Sequence, residues 1–178
     1  MRKIFLIGYM GAGKTTVGKQ LAQRLNLQFV DLDLFIENRY RKRIDELFTE
    51  KGENNFREIE HKTLLEVSQF EDVIISTGGG TPCFFDNMLI MNSRGKTVYL
   101  KWSVEDLITR LTAYKHNRPL VEGKNREEMK QFIVENLAKR ESFYNRATVI
   151  FEVSKMAIAP DVDSIVDELA GSMYPSEK

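Results

Sequence analysis

Short apolar segments alternate with amphipathic segments along most of this chain. Each apolar segment is short and bounded by polar residues or glycine, as in strands that are buried on both faces of a parallel sheet. The predicted strands are KIFLI (3–7), LQFVDLD (from Leu27, ending at Asp31 or Asp33), DVIIST (72–77), KTVYLKW (96–102) and ATVIFEV (147–153). After the first strand, Val17, Leu21 and Leu25 recur at the spacing of one helix face. The alternation predicts an α/β fold, with a five-stranded parallel sheet between two layers of helices.

The helical segments and one irregular segment complete the organisation. We expect helices at 14–26, from about 34 to 50 with a break near Arg43, at 55–69, from about 104, from about 127 and over 162–169. Segment 112–125 is polar, contains proline and glycine and has no regular period, which predicts a loop. The pattern shows neither repeats nor a linker. We therefore expect a single domain at 1–172 and a disordered tail at 173–178.

A glycine-rich sequence, GYMGAGKT, joins the first strand to the first helix. It matches G-x-x-x-x-G-K-[ST] at each fixed position, namely Gly8, Gly13, Lys14 and Thr15. Glycines let backbone N–H groups turn towards phosphates, and the start of the helix adds partial positive charge. Lys14 would reach the β- and γ-phosphates, and the Thr15 hydroxyl would coordinate Mg²⁺. The motif favours a nucleotide site over an ordinary turn. Together with the alternation of strands and helices, it predicts the three-layer αβα fold of P-loop NTPases.

Charge and cysteine content restrict the function classes. The 26 basic and 26 acidic residues balance, so the chain has no net positive field for nucleic acid. A single cysteine, Cys83, excludes an intramolecular disulfide and, with two histidines, disfavours a structural zinc site. No apolar run approaches the length of a membrane span or of a signal-peptide core. We expect a cytoplasmic protein with no nucleic-acid or membrane partner.

Two acidic residues follow the second strand. Asp31 and Asp33 lie at the carboxyl end of a predicted parallel strand, where ligands bind in sheets of this type. They alternate in direction along the strand, so we expect one near Mg²⁺ and the other near the phosphate acceptor. A helix N-cap followed by a turn would also use such residues, and the two interpretations are compatible.

The motifs occur in an order that resembles shikimate kinase, a P-loop family of the nucleoside-monophosphate-kinase type. The ordered set is the P-loop, FVDLD (29–33), FRxxE (56–60), STGGG (76–80), NRPL (117–120) and KRxxFY (139–144). The likeness extends from about Ile4 to Ala147. It implies transfer of the γ-phosphate of ATP to the 3-hydroxyl of shikimate, in the biosynthesis of aromatic amino acids. It also implies the strand order of the sheet and, together with the lack of an obvious apolar patch, a monomer.

The resemblance assigns roles to residues outside the P-loop. Asp33 is expected to bind the shikimate hydroxyls and to be a candidate general base, while Asp31 would hold the magnesium shell with Thr15. The expected shikimate-binding residues are Asp33, Arg57, Glu60, Gly78, Gly79, Gly80 and Arg140. Among them, Arg57 and Arg140 would bind the carboxylate, which suits the arginine fork.

The same resemblance defines the nucleotide site. The expected nucleotide-binding residues are Gly11, Ala12, Gly13, Lys14, Thr15, Thr16, Arg110 and Arg118. Segment 112–124 would form a mobile lid that carries Arg118, the lid arginine on the phosphates. Arg110 would lie at or near adenine. Lys14, Asp33 and Arg118 are the residues expected to act in catalysis.

Simpler interpretations accompany these assignments. Arg57 and Glu60 are three residues apart on a predicted helix, so a plain surface ion pair would explain both. His61 is expected to face solvent, His116 to be a mobile surface residue and Cys83 to be an inert, part-buried thiol. Sequence TPCFF (81–85) departs from the small residues expected after the triple glycine.

Two other function classes remain open. One is a different small-molecule P-loop kinase, for gluconate or a nucleotide, although FRxxE and the triple glycine favour shikimate. The other is a nucleotide-binding module without catalytic activity, against which the intact Lys14, Thr15 and Asp33 argue. A GTP switch protein is disfavoured because the chain has no N-K-x-D motif.

Overall fold

A computed structural model of the chain describes residues 2–113, 123–155 and 161–173. The strands are β1 (Lys3–Ile7), β2 (Gln28–Asp31), β3 (Val73–Ser76), β4 (Lys96–Lys101) and β5 (Val149–Glu152). The helices are α1 (Lys14–Leu25), α2 (Leu32–Tyr40), α3 (Ile44–Val67), α4 (Asn87–Arg94), α5 (Val104–Ala113), α6 (Arg126–Tyr144) and α7 (Val162–Met173). Two short 3₁₀ turns lie at Thr81–Cys83 and Val153–Lys155.

The five strands form one parallel sheet in the order β2-β3-β1-β4-β5. The central strand β1 is the most apolar, and Ile4–Ile7 are fully buried. Because β3 and β4 pair with opposite edges of β1, the chain crosses the sheet between them, and the carboxyl end of β1 opens into a crevice. The predicted fold class and the predicted five-stranded parallel sheet are confirmed.

The second strand ends at the first of its two predicted ends, and the helix that follows begins earlier than predicted. Strand β2 ends at Asp31, and α2 begins at Leu32, so Asp33 lies in the first turn of a helix rather than on the strand. The Asp31 carboxylate caps this helix by accepting hydrogen bonds from the backbone N–H groups of Asp33 and Leu34. A side-chain cap satisfies N–H groups that would otherwise lack a partner, and this allows the helix to begin two residues early.

Between β2 and β4 the structure confirms one predicted break in a helix and adds two elements that were not predicted. The predicted interruption after Glu50 is present as a kink at Gly52, whose φ of 75° breaks the helical backbone inside α3. The helix α4 and the 3₁₀ turn at Thr81–Cys83 were not predicted, because both segments are too short to show a clear hydrophobic period. Both elements follow the triple glycine and pack near it.

Gly18, in helix α1 after the P-loop, allows close packing of that helix. A Cβ at Gly18 would lie 2.6 Å from the Phe29 ring and 3.0 Å from Leu6, so its absence brings α1 close to the sheet. The position of α1 fixes the P-loop that precedes it. None of the helices in the described ranges has the length and apolar character to cross a membrane.

Candidate active site

A cleft of about 210 Å³ opens at the carboxyl ends of β1, β2 and β3. It is lined by backbone and short polar side chains together with one lysine and two aspartates. The lining residues are Met10, Gly11, Gly13, Lys14, Thr15, Thr16, Asp31, Asp33, Ser76, Thr77, Gly78 and Gly79. The cleft thus brings together three separate predicted motifs, the P-loop, DLD and the triple glycine.

The P-loop has the backbone geometry that the motif predicts. Gly8, Gly11 and Gly13 have φ values of 142°, 82° and 86°, a region that residues with side chains rarely adopt. Lys14 is 9% exposed, and its Nζ donates to the backbone carbonyls of Gly8 and Tyr9 at 2.9 and 3.0 Å. These two contacts hold the ammonium group over the loop, beside the cleft.

The side-chain oxygens of Thr15 and Asp31 lie next to each other in the cleft. The Thr15 hydroxyl donates to Asp31 Oδ2 at 2.7 Å, although the two residues are 16 positions apart. Hydroxyl and carboxylate oxygens suit Mg²⁺, which usually keeps several waters and uses few protein ligands. The described residues contain no cluster of three or more histidine, cysteine or acidic side chains that could hold a metal ion.

Asp33 lies close to a second carboxylate, beside the first glycine of the triple. A Cβ at Gly78 would lie 3.0 Å from both Asp33 Oδ1 and Glu60 Oε1. Burial raises the pKa of Asp33 to about 7, with smaller contributions from the Asp31 and Glu60 carboxylates, while Lys14 opposes the change. A carboxyl group with a pKa in this range can either hold or accept a proton near pH 7.

Arg57 is a buried residue rather than part of a surface ion pair. It is 8% exposed, and its Nη1 donates to Glu60 Oε2 at 2.8 Å, while Glu60 is 1% exposed. Three phenylalanine rings, Phe48, Phe56 and Phe84, lie within 5.4 Å of the guanidinium carbon, with Phe84 at 4.2 Å. Desolvating an arginine and a glutamate is costly, so stability alone is a weak reason for burying this pair.

The triple glycine packs close to the side chains of Asp33, Arg57 and Arg140. At Gly80 the backbone is ordinary (φ −90°, ψ −22°), but a Cβ would lie 2.6 Å from Arg57 Nη2. At Gly79 a Cβ would lie 3.5 Å from Arg140 Nη1. A Cβ would therefore push the Arg57 guanidinium away at Gly80 and crowd Asp33 at Gly78, whereas at Gly79 it would make an ordinary contact with Arg140.

Arg140 approaches the same glycines from the last turns of α6. Its guanidinium carbon lies 5.8 Å from the centre of the buried Tyr9 ring. Tyr144, one turn later, is fully buried, and its hydroxyl donates to the Gly79 carbonyl. Helix α6 thus brings Arg140 to Gly79, next to the glycine that packs against Arg57.

Arg110 packs against the outer side of the P-loop. Its Nε donates to the Gly11 carbonyl at 2.8 Å, and its guanidinium lies 4.3 Å from the Trp102 ring. Trp102 is the chain's one tryptophan, and its indole N–H donates to the Ala12 carbonyl at 3.0 Å. Two side chains about a hundred residues away in the sequence therefore orient consecutive peptide groups of the loop.

Some predicted residues lie elsewhere or outside the described ranges. Arg118, His116 and most of the expected lid fall in 114–122, and the expected tail falls outside as well, except for Met173 at the end of α7. The expectation that His61 faces solvent is wrong, because it is partly buried and its Nδ1 lies 2.6 Å from Asn87 Oδ1. Cys83 is partly buried as expected, and burial raises the pKa of its thiol to about 11.

Four residues of the site region escaped sequence reasoning. Thr81 and Asn87 lie in the segment whose sequence departs from expectation, while Trp102 and Tyr144 lie at the ends of a strand and a helix. Tyr144 is part of the KRxxFY motif, which was a usable signal. The other three carry no local pattern that separates them from core or loop residues.

Comparisons with known proteins agree on one family. The profile of the family described as shikimate kinase matches residues 10–170. A shikimate kinase of Parabacteroides distasonis is 55% identical over 169 residues, which is 95% of this chain and 98% of the relative. The crystal structure of shikimate kinase from Bacteroides thetaiotaomicron has a TM-score of 0.91 and 48% identity, covering 97% of this chain and 98% of that one. The shikimate kinase from Acinetobacter baumannii, solved in complex with shikimate, has a TM-score of 0.84 and 32% identity, covering 97% and 93%.

Proposed function

This chain belongs to the shikimate kinase family, and from that premise we propose that it transfers the γ-phosphate of ATP to the 3-hydroxyl of shikimate. The products are shikimate 3-phosphate and ADP. The observation that carries the proposal is the meeting of two sites at one cleft. The P-loop with Lys14 forms one wall, and the triple glycine, flanked by Asp33, Arg57 and Arg140, forms the other.

The nucleotide side of the reaction uses the P-loop and its neighbours. Backbone N–H groups of 11–16 would bind the phosphates, and Lys14 would neutralise charge on the group being transferred. Arg110 would lie at the adenine, since it already packs on the loop beside Trp102. Binding of both ends of ATP would fix the γ-phosphate in line with the acceptor.

Thr15 and Asp31 would hold Mg²⁺, since their oxygens lie next to each other in the cleft. When bound, Mg²⁺ neutralises the phosphate oxygens and fixes their geometry. Asp31 also caps α2, so the residue that would face the metal is held rigidly by the helix it starts.

The acceptor side matches the chemistry of shikimate, a ring with one carboxylate and three hydroxyls. Arg57 and Arg140, which lie beside the consecutive glycines Gly80 and Gly79, would bind the carboxylate. Asp33 would accept hydrogen bonds from ring hydroxyls and take the proton of the attacking one, which makes it the candidate general base. A contact between Glu60 and a substrate hydroxyl stays a prediction, since both carboxylate oxygens of Glu60 already accept hydrogen bonds from protein groups.

The lid assignment belongs to the same proposal. Segment 112–124 would close over the phosphates with Arg118 and exclude water, which prevents loss of ATP to hydrolysis. Acceptor binding would favour closure, and an Arg118→Ala variant with unchanged turnover would exclude this role. We further propose a monomer that works in the cytoplasm on small molecules, without nucleic acid or membrane, supported by the balanced charge.

The function is tested by measuring ADP release from Mg·ATP with shikimate, gluconate or AMP as acceptor. We expect shikimate alone to raise turnover into the range of about 1–100 per second that kinases show. Stimulation by gluconate or AMP instead would favour another small-molecule kinase. ATP binding with no stimulation by any acceptor would favour a nucleotide-binding module.

Gly80→Ala is expected to weaken shikimate binding without unfolding the protein. The backbone at Gly80 accepts alanine, but the added Cβ would displace the Arg57 guanidinium from its position 2.6 Å away. We expect the KM for shikimate to rise about tenfold, the loss expected for a strong charge-assisted hydrogen bond. Steady-state kinetics and thermal unfolding measure the two effects.

Gly171→Ala is the matched control, because a Cβ at this glycine of α7 would meet nothing within 4 Å. Its KM for shikimate should equal that of the unmodified protein. An unchanged KM in Gly80→Ala would show that Arg57 does not bind the acceptor from its observed position.

A further inference from the structure

Glu60 is held by two donors inside the protein. Its Oε2 accepts from Arg57 Nη1 at 2.8 Å, and its Oε1 accepts from the Thr81 hydroxyl at 2.6 Å. Glu60 is 1% exposed and Thr81 is fully buried. Hydrogen bonds to a buried carboxylate are strong, so Thr81 fixes the rotation of Glu60 about its side chain. The fixed carboxylate in turn fixes the guanidinium of Arg57.

Thr81 is itself held by a fully buried asparagine. Asn87 Nδ2 donates to the Thr81 carbonyl at 2.8 Å, and Asn87 Oδ1 lies 2.6 Å from His61 Nδ1. An amide oxygen can only accept, so the proton of this contact is on His61 Nδ1. His61 directly follows Glu60 in α3, which closes a circuit from α3 through the 3₁₀ turn and α4 and back to α3.

The segment TPCFFDN (81–87) supplies most of the contacts in this circuit. Its first residue binds Glu60, its last holds the first in place, and between them the Phe84 ring lies 4.2 Å from the Arg57 guanidinium. Two contacts from one short segment therefore act on the Glu60–Arg57 pair, and a third holds Thr81 in place. Such restraint favours binding of a carboxylate by an arginine through two parallel hydrogen bonds. The free energy of binding improves because the side chain loses less conformational freedom when the carboxylate binds.

We propose that Thr81, held by Asn87 and His61, is a positioning residue for the acceptor. It acts through Glu60 to keep the Arg57 fork aimed at the substrate carboxylate. The inference rests on the proposed function, in which Arg57 binds the carboxylate of shikimate.

Thr81→Val tests the inference, because valine keeps the shape of threonine and removes the hydroxyl. The Oε1 atom of Glu60 would then lose its donor. We expect the KM for shikimate to rise about tenfold, as for loss of a hydrogen bond to a charged group. The KM for ATP and kcat should stay within about twofold, since neither the P-loop nor Asp33 is touched. Thr81→Ser restores the hydroxyl and should restore the KM for shikimate.

Thr63→Val is the matched control. Thr63 is a buried threonine on α3, like Glu60, but its hydroxyl donates to the Ile59 carbonyl of its own helix. Thermal unfolding of both valine variants measures any general loss of stability. A rise in the KM for shikimate of the same size in both variants would overturn the inference, because it would reflect a softened helix rather than a lost contact with Glu60.

A double-mutant cycle with Arg57→Ala separates this inference from the proposed function. If Thr81 acts through Arg57, Thr81→Val should hardly change the KM for shikimate once Arg57 is alanine. A full additional effect in that background would overturn the inference. An unchanged KM for shikimate in the single variant Thr81→Val would also overturn the inference. If Arg57→Ala nevertheless raised the KM for shikimate, the proposed function would still stand. Failure of the unmodified protein to use shikimate would overturn both.

Discussion

Lys14→Met is expected to lower kcat with shikimate on the order of 10³-fold, as removal of a preorganised positive group at a transferring phosphate does. The Lys14 ammonium is nine-tenths buried and is held by the Gly8 and Tyr9 carbonyls at the mouth of the P-loop. Charge develops on phosphate oxygens during transfer, and a fixed cation there stabilises the transition state without reorganising. Methionine has a similar length and no charge, so it removes this effect with little change in packing.

Lys19→Met provides the matched control for Lys14→Met. Lys19 lies on the same helix α1, five residues further on, and is exposed. Its replacement should leave kcat unchanged within about twofold. Thermal unfolding shows whether Lys14→Met is folded. A folded Lys14→Met protein with turnover close to that of the unmodified chain would exclude the phosphate role of the lysine.

Asp33→Asn is expected to lower kcat on the order of 10²- to 10³-fold, the range for loss of a general base. Asparagine has nearly the same shape, but its amide cannot take the proton of the attacking hydroxyl. The Asp33 carboxylate lies in a group with Asp31 and Glu60, where burial already disfavours its charge. Neutralising it therefore relieves repulsion, and we expect thermal stability to be equal to or higher than that of the unmodified protein.

A loss of turnover together with unchanged or raised stability would separate a chemical role of Asp33 from a structural one. Asp163→Asn is the control, since Asp163 is an exposed acid in the first turn of α7, as Asp33 is in the first turn of α2. Turnover of Asp33→Asn at the level of this control would exclude Asp33 as the base. Measurement of kcat at saturating ATP and shikimate and of the unfolding temperature covers both variants.

The amino-acid sequence by itself determined the architecture and the nucleotide half of the cleft. Strands such as β1 and β3 are encoded by short apolar runs, and Gly8, Gly13, Lys14 and Thr15 lie within one short stretch of the chain. Their geometry depends on local backbone preferences and on the strand and helix that flank them. Local patterns of this kind survive in a single sequence because hydrogen bonding and burial act over only a few residues.

Tertiary structure alone decided how the remaining side chains are used. The sequence allowed Arg57 and Glu60 to be a surface ion pair, and only the packing of α3 against the triple glycine buries them. Thr81 reaches Glu60 across 21 residues, and Arg110 reaches Gly11 across 99. No local period encodes such contacts, because they exist only after the sheet has assembled and brought distant segments together.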